Sequence, residues 1–88
     1  MIQVIYSKNF LKSAKKLPAD HQKKLASLIE RLQKNIYHPL LHTKQLTGAL
    51  AGLLSFRITR DWRVIFKFLD SETVQLLRVK HRKEAYRL

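Results

Sequence analysis

The sequence predicts an α+β domain of order β-α-α-β-β-β, a twisted, mainly antiparallel four-stranded sheet with a helical hairpin on one face. Three observations predict it. The first 36 residues change from a short β-type run to 3.6-residue apolar periodicity. The last third alternates apolar and polar residues with period two. Its 88 residues contain no cysteine, so one packed core, without disulfide or thiolate-metal staples, has to hold the fold.

Residues 2–6 are rich in β-formers, and Ser7 stands where a helix N-cap would satisfy orphan backbone donors. Phe10, Leu11, Ala14 and Leu17 then recur at helical spacing until Pro18, so the first helix ends near Leu17. A second helix carries Leu25, Leu28, Ile29, Leu32 and Ile36 in one stripe, with Asp20 as its cap and Pro39 at its exit. The two form a hairpin whose apolar face needs a sheet to cover.

After a linker over residues 37–52, Leu54, Phe56 and Ile58 alternate with Ser55, Arg57 and Thr59. A short turn at Arg60 and Asp61 leads to Trp62, Val64, Phe66 and Phe68, which alternate with Arg63, Ile65 and Lys67. Residues 74–79, apolar on both faces, read as a central strand. Residues 81–88 read as a short helical turn or an extended tail. The whole chain, 1–88, is expected to be one domain.

Charge supplies the first functional inference. Eighteen Lys and Arg against six Asp and Glu give a formal net charge of +12. Self-repulsion of that size makes a polyanionic partner the natural inference: nucleic acid first, an acidic protein second. With no signal-peptide pattern and no membrane-spanning apolar run, a cytoplasmic location and no membrane partner are expected.

Alternation puts Arg57 and Arg63 on one face of a hairpin, where cross-strand neighbours lie about 5 Å apart. Paired guanidinium forks suit a phosphate that gains charge during cleavage, although a solvated strand face accounts for the same pattern. The run Arg78-Val79-Lys80-His81-Arg82-Lys83-Glu84-Ala85-Tyr86-Arg87 adds an imidazole, a phenol and more cations at a strand end. Lys44, two residues after His42, is a loop lysine that could reach over the sheet and, among other cations, act as a base. The six acids, Asp20, Glu30, Asp61, Asp70, Glu72 and Glu84, are scattered, which argues against two-metal hydrolysis. With only Gly48 and Gly52 there is no phosphate-cradling glycine loop, so no metal or other cofactor is expected. RNA brings its own nucleophile, the 2′-hydroxyl, and a site of Arg, Lys, His and Tyr suffices for its attack on the adjacent phosphate.

Three segments carry a resemblance to a known family over nearly the whole chain. They are Lys44-Gln45-Leu46-Thr47-Gly48, then Ser55-Phe56-Arg57-Ile58-Thr59-Arg60-Asp61-Trp62-Arg63-Val64-Ile65-Phe66, and Val79-Lys80-His81-Arg82-Lys83-Glu84-Ala85-Tyr86. In these the chain resembles the RelE/ParE toxin superfamily of toxin-antitoxin pairs. The resemblance implies a ribosome-dependent, metal-free endoribonuclease that cuts messenger RNA, inhibits translation and forms an oligomer with an acidic antitoxin. It implies catalytic roles for Lys44, Arg57, Asp61, Arg63, His81, Arg82 and Tyr86, with His81 and Asp61 resembling the YafQ branch and the spacing from Arg82 to Tyr86 shorter than in RelE. His81 or Lys44 would then handle the proton while Arg57, Arg63 and Arg82 stabilise the phosphorane. Arg60, Lys67, Lys80 and Lys83 are expected to contact RNA. Two other readings stay open within the same family: a ParE-type inhibitor of DNA gyrase, and a degenerate toxin that acts through antitoxin binding and autorepression.

Overall fold

The computed structural model describes residues 1–84. The elements are β1 (Gln3–Tyr6), α1 (Lys8–Lys15), α2 (Ala19–Lys34), β2 (Lys44–Gln45), β3 (Leu54–Arg57), β4 (Trp62–Asp70) and β5 (Thr73–His81), with single 3₁₀ turns at Pro39–Leu41 and Gly48–Leu50. The strands form one sheet in the order β1-β5-β4-β3-β2. Only β1 with β5 is parallel; the other pairings are antiparallel.

This is the expected α+β architecture with one strand more. Lys44 and Gln45 pair with Ser55 and Leu54, and a strand of two residues is too short to show a period. The expected linker is therefore structured. It also covers part of the second sheet face, where buried Leu46 and Ile65 pack with Leu50, Leu53 and Leu77. Residues 74–79 are interior as expected, flanked by β1 and β4, but the middle position of the five belongs to β4.

The main core lies between the helices and the other sheet face. Phe10, Leu17, Leu25, Leu28, Leu32 and Ile36 meet Leu54, Phe56, Val64, Phe66, Val74 and Leu76 there. The second helix buries Leu25, Leu28 and Leu32 of its predicted stripe, while Ile36 lies beyond its end at Lys34, and the predicted cap is not used. Pro18 occupies the N-cap position without a side-chain bond, since proline's fixed φ suits the helix entrance. Asp20 sits within the first turn, where it meets the positive end of the helix dipole. Its carboxylate accepts from the His21 backbone N–H at 3.0 Å and lies 3.1 Å from the His21 ring; the contact with the His21 side chain holds its pKa below the usual carboxylate value.

Two serines of the first helical segment fasten it to β5. Ser7 caps α1 by accepting from the Phe10 N–H at 3.0 Å, and its hydroxyl donates to the Leu77 carbonyl at 2.8 Å. Ser13 accepts from the Val79 N–H at 2.9 Å. The backbone groups they serve flank a β-bulge: β5 pairs Arg78 with Ile65 and Leu76 with Phe66, which leaves Leu77 without an opposite number. Replacing Ser7 by Ala removes a cap and a tie to the sheet together. A loss of ~2 kcal/mol is expected from chemical denaturation, and a loss under ~0.5 kcal/mol would show that water replaces both bonds.

Candidate functional site

The antiparallel register of β3, β4 and β5 sets a row of three cations on the sheet face away from the helices. Arg57 lies opposite Arg63, and Arg63 opposite Lys80. The Ile58 N–H donates to the Trp62 carbonyl at 2.9 Å, so that pair is hydrogen-bonded. The next pair, Arg57 with Arg63, is of the other kind, in which side chains stand closest. A parallel row places Lys44 opposite Ser55 and Ser55 opposite Ile65. His42, Lys44, Ser55, Arg57 and Arg63 line one open cavity.

Three nitrogen atoms in this cluster are buried with no hydrogen-bond partner among the described residues: Nε of Arg57, and Nε and Nη1 of Arg63. A buried guanidinium donor left unpaired is costly, and two cations directly opposite each other add repulsion. An oxyanion seated in the cavity the two arginines line would relieve the repulsion. No carboxylate of the described residues lines the cavity; Asp20 pairs with His21, and Asp61 with Arg82. No three His, Asp or Glu side chains among the described residues come together as a metal site would require.

The other expected site residues among the described ones do not line this cavity. Asp61 and Arg82 close the open end of the β4-β5 pair: the Arg82 N–H donates to the Asp61 carbonyl at 2.7 Å, and the side chains pair at 3.6 Å. His81 lies opposite Trp62 and meets its ring edge-on, with centroids 5.2 Å apart. Because Trp62 packs against the main core, the imidazole belongs to the helix side of the sheet, and it does not line the Arg57-Arg63 cavity. Tyr86 lies outside the described residues. Of the expected RNA contacts, Lys80 stands beside Arg63, and Lys67 lies further along the same strand opposite Gln75. Lys83 donates its backbone N–H to the His81 ring at 3.3 Å. Arg60 lines a second cavity between α2 and the end of β3.

Sequence reasoning gave no site role to His42 or Ser55. His42 has φ 48 and ψ 46, a left-handed conformation uncommon outside glycine. It ends the Pro39–Leu41 turn and lines both cavities. Ser55 is buried beneath the cluster at 2% exposure.

Comparisons with known proteins identify the family and the fold. The sequence model described as the ParE toxin of the type II toxin-antitoxin system parDE matches residues 4–86. The chain belongs to the ParE toxin family. It is thus a toxin of a type II toxin-antitoxin system, within the RelE/ParE superfamily its motifs resemble. No curated protein sequence matches it.

Solved structures share the toxin's fold at low identity. The YoeB/ParE toxin from Agrobacterium tumefaciens is 16% identical with a TM-score of 0.77, over 92% of this chain and 99% of that one. YafQ from E. coli is 22% identical with a TM-score of 0.75, over 94% and 96%. The toxin of the heterotetrameric YoeB-YefM toxin-antitoxin complex from Staphylococcus aureus is 18% identical with a TM-score of 0.73, over 91% and 95%.

Proposed function

We propose that this toxin is a metal-independent endoribonuclease of the cytoplasm that cuts messenger RNA on the ribosome and is silenced by an acidic antitoxin. The observation that carries the reading is the pair Arg57 and Arg63, opposite each other in register and lining one cavity with Lys44, where a phosphate would offset their charge. In the reaction the 2′-oxygen attacks the adjacent phosphorus, the bond to the 5′-oxygen breaks, and a 2′,3′-cyclic phosphate and a 5′-hydroxyl result. Charge on the non-bridging oxygens rises at the phosphorane, and preset guanidinium donors stabilise it there more than in the ground state. Lys80 adds a third positive charge to the row.

The proton steps fall to groups at the cavity rim. Lys44 shares the cavity with both arginines and is the better placed of the two expected bases: it would take the 2′-hydroxyl proton, and water would supply a proton to the departing 5′-oxygen. His81 is assigned to the Trp62 side, where it orders the strand end that carries Arg82. Arg82, paired with Asp61 at the strand end, is the further cation that would have to swing towards the phosphate.

The test is to add purified toxin to translating ribosomes and map new messenger ends, with Arg63→Ala and Arg82→Ala in parallel. New ends are expected with the wild type and their loss with Arg63→Ala. A wild type that creates no ends overturns the nuclease reading. A second reading, inhibition of DNA gyrase, is favoured by the match to the ParE family model; gyrase-dependent DNA breaks without messenger cleavage would establish it. Retained antitoxin affinity with neither activity would identify a degenerate toxin.

A further inference from the structure

The cavity between α2 and the end of β3 is separate from the Arg57-Arg63 cluster, yet it shares two residues with it. Lys24, Ser27 and Arg31 reach it from α2, and Arg60 from the turn after β3. Positions 24, 27, 28 and 31 follow i, i+3, i+4, i+7 spacing and so share one helix face. Buried Leu28 seats that face in the core, leaving the two cations on its flanks. His42 and Arg57 line this cavity and the first one alike, so the two basic hollows adjoin.

We infer that this second cavity is a phosphate-binding subsite for single-stranded nucleic acid, holding a phosphate that flanks the one between Arg57 and Arg63. Among the described residues, no carboxylate lines it, and none of Lys24, Arg31 and Arg60 has an ion-pair partner. Its volume is about 270 Å³, against the ~10–15 Å³ that admits a single water, so a phosphate and its sugar can enter. Adjoining basic hollows suit a chain whose charges repeat at short intervals, the pattern by which single strands are tracked. The inference rests on the nuclease reading for the choice of polymer, and not for the presence of the subsite.

The test measures binding of the full chain to fluorescein-labelled oligodeoxyuridylate, which lacks the 2′-hydroxyl and so cannot be cleaved by internal attack. One probe is about eight nucleotides long, within the usual range of single-strand sites, and the other is a dinucleotide with a single phosphate. The double variant Lys24→Gln/Arg31→Gln, checked for an unchanged melting temperature, is expected to bind the longer probe about tenfold more weakly. Its slope of log K against log salt should fall by about 0.7, the loss of one phosphate contact. Dinucleotide binding should not change.

Unchanged affinity and slope for the longer probe, with Arg63→Gln still weakening it, overturn the subsite. So does a double variant that loses affinity for polyglutamate alone. The converse pattern, weakening by the double variant but not by Arg63→Gln, keeps the subsite and overturns the phosphate role of Arg63 in the proposed reaction.

Discussion

Replacing Arg63 by Met is expected to lower messenger cleavage by 10²–10³-fold while making the protein more stable by about 1 kcal/mol. The two effects have one cause. The guanidinium keeps Nε and Nη1 buried without partners among the described residues and stands between Arg57 and Lys80 on the neighbouring strands. Methionine retains much of the aliphatic stem that packs on the sheet and removes the charge, so the folded state loses a repulsion and an unsatisfied donor set. The reaction loses the group that meets the phosphorane. Thermal melts and mapped messenger ends check the two halves separately. A variant that is both inactive and less stable would mean that Arg63 contributes to the fold, and that its buried nitrogens find partners in solution.

The second large effect concerns the core. Phe66 is fully buried on β4, and its ring lies 5.8 Å from that of Phe56 across the strand pair. Phe66→Ala is expected to cost 3–5 kcal/mol, by analogy with other large-to-small core changes, a large share of the ~5–15 kcal/mol that folded domains possess. Equilibrium denaturation should show the midpoint falling steeply or the folded baseline vanishing. Phe66→Leu, which keeps more of the volume, should cost less than half as much. Equal losses for the two would point to the aromatic pairing with Phe56 rather than to volume.

Most of the architecture could be read from the sequence because strong periodicities encode it. The helix stripe of Leu25, Leu28 and Leu32 and the alternation of Leu54, Phe56 and Ile58 each repeat often enough to fix the element and its buried face. The strand at Lys44–Gln45 could not be read that way, since two residues make no period. Nor could the folding of the 37–53 segment onto the second sheet face, which depends on single leucines at irregular spacing.

The site divides on similar lines. Arg57 and Arg63 follow from counting alternate residues across a hairpin, and the register pairs them as expected. His81 does not follow, because the bulge at Leu77 intervenes. Counted without it from buried Val74 and Leu76, residue 81 would share a face with Arg63 and residue 80 would turn inward. One extra residue exchanges them, bringing Lys80 beside Arg63 and His81 onto Trp62. His42 was hidden for another reason: a left-handed backbone at a histidine leaves no mark on hydrophobic pattern.

The tie between Ser7 and the Leu77 carbonyl spans 70 positions of the chain, and among the described residues β1 takes its ladder bonds from β5 alone. During synthesis, therefore, the first strand waits for the last. Until residues 73–81 have emerged, β1 has no neighbour, α1 lacks the backbone groups its serines bind, and the row from Arg57 through Arg63 is missing Lys80. Contacts so distant in sequence form late and slow the folding of small domains. A nascent chain of this toxin would remain an open precursor through most of its translation, and would assemble its basic cluster only as the final strand closes the sheet.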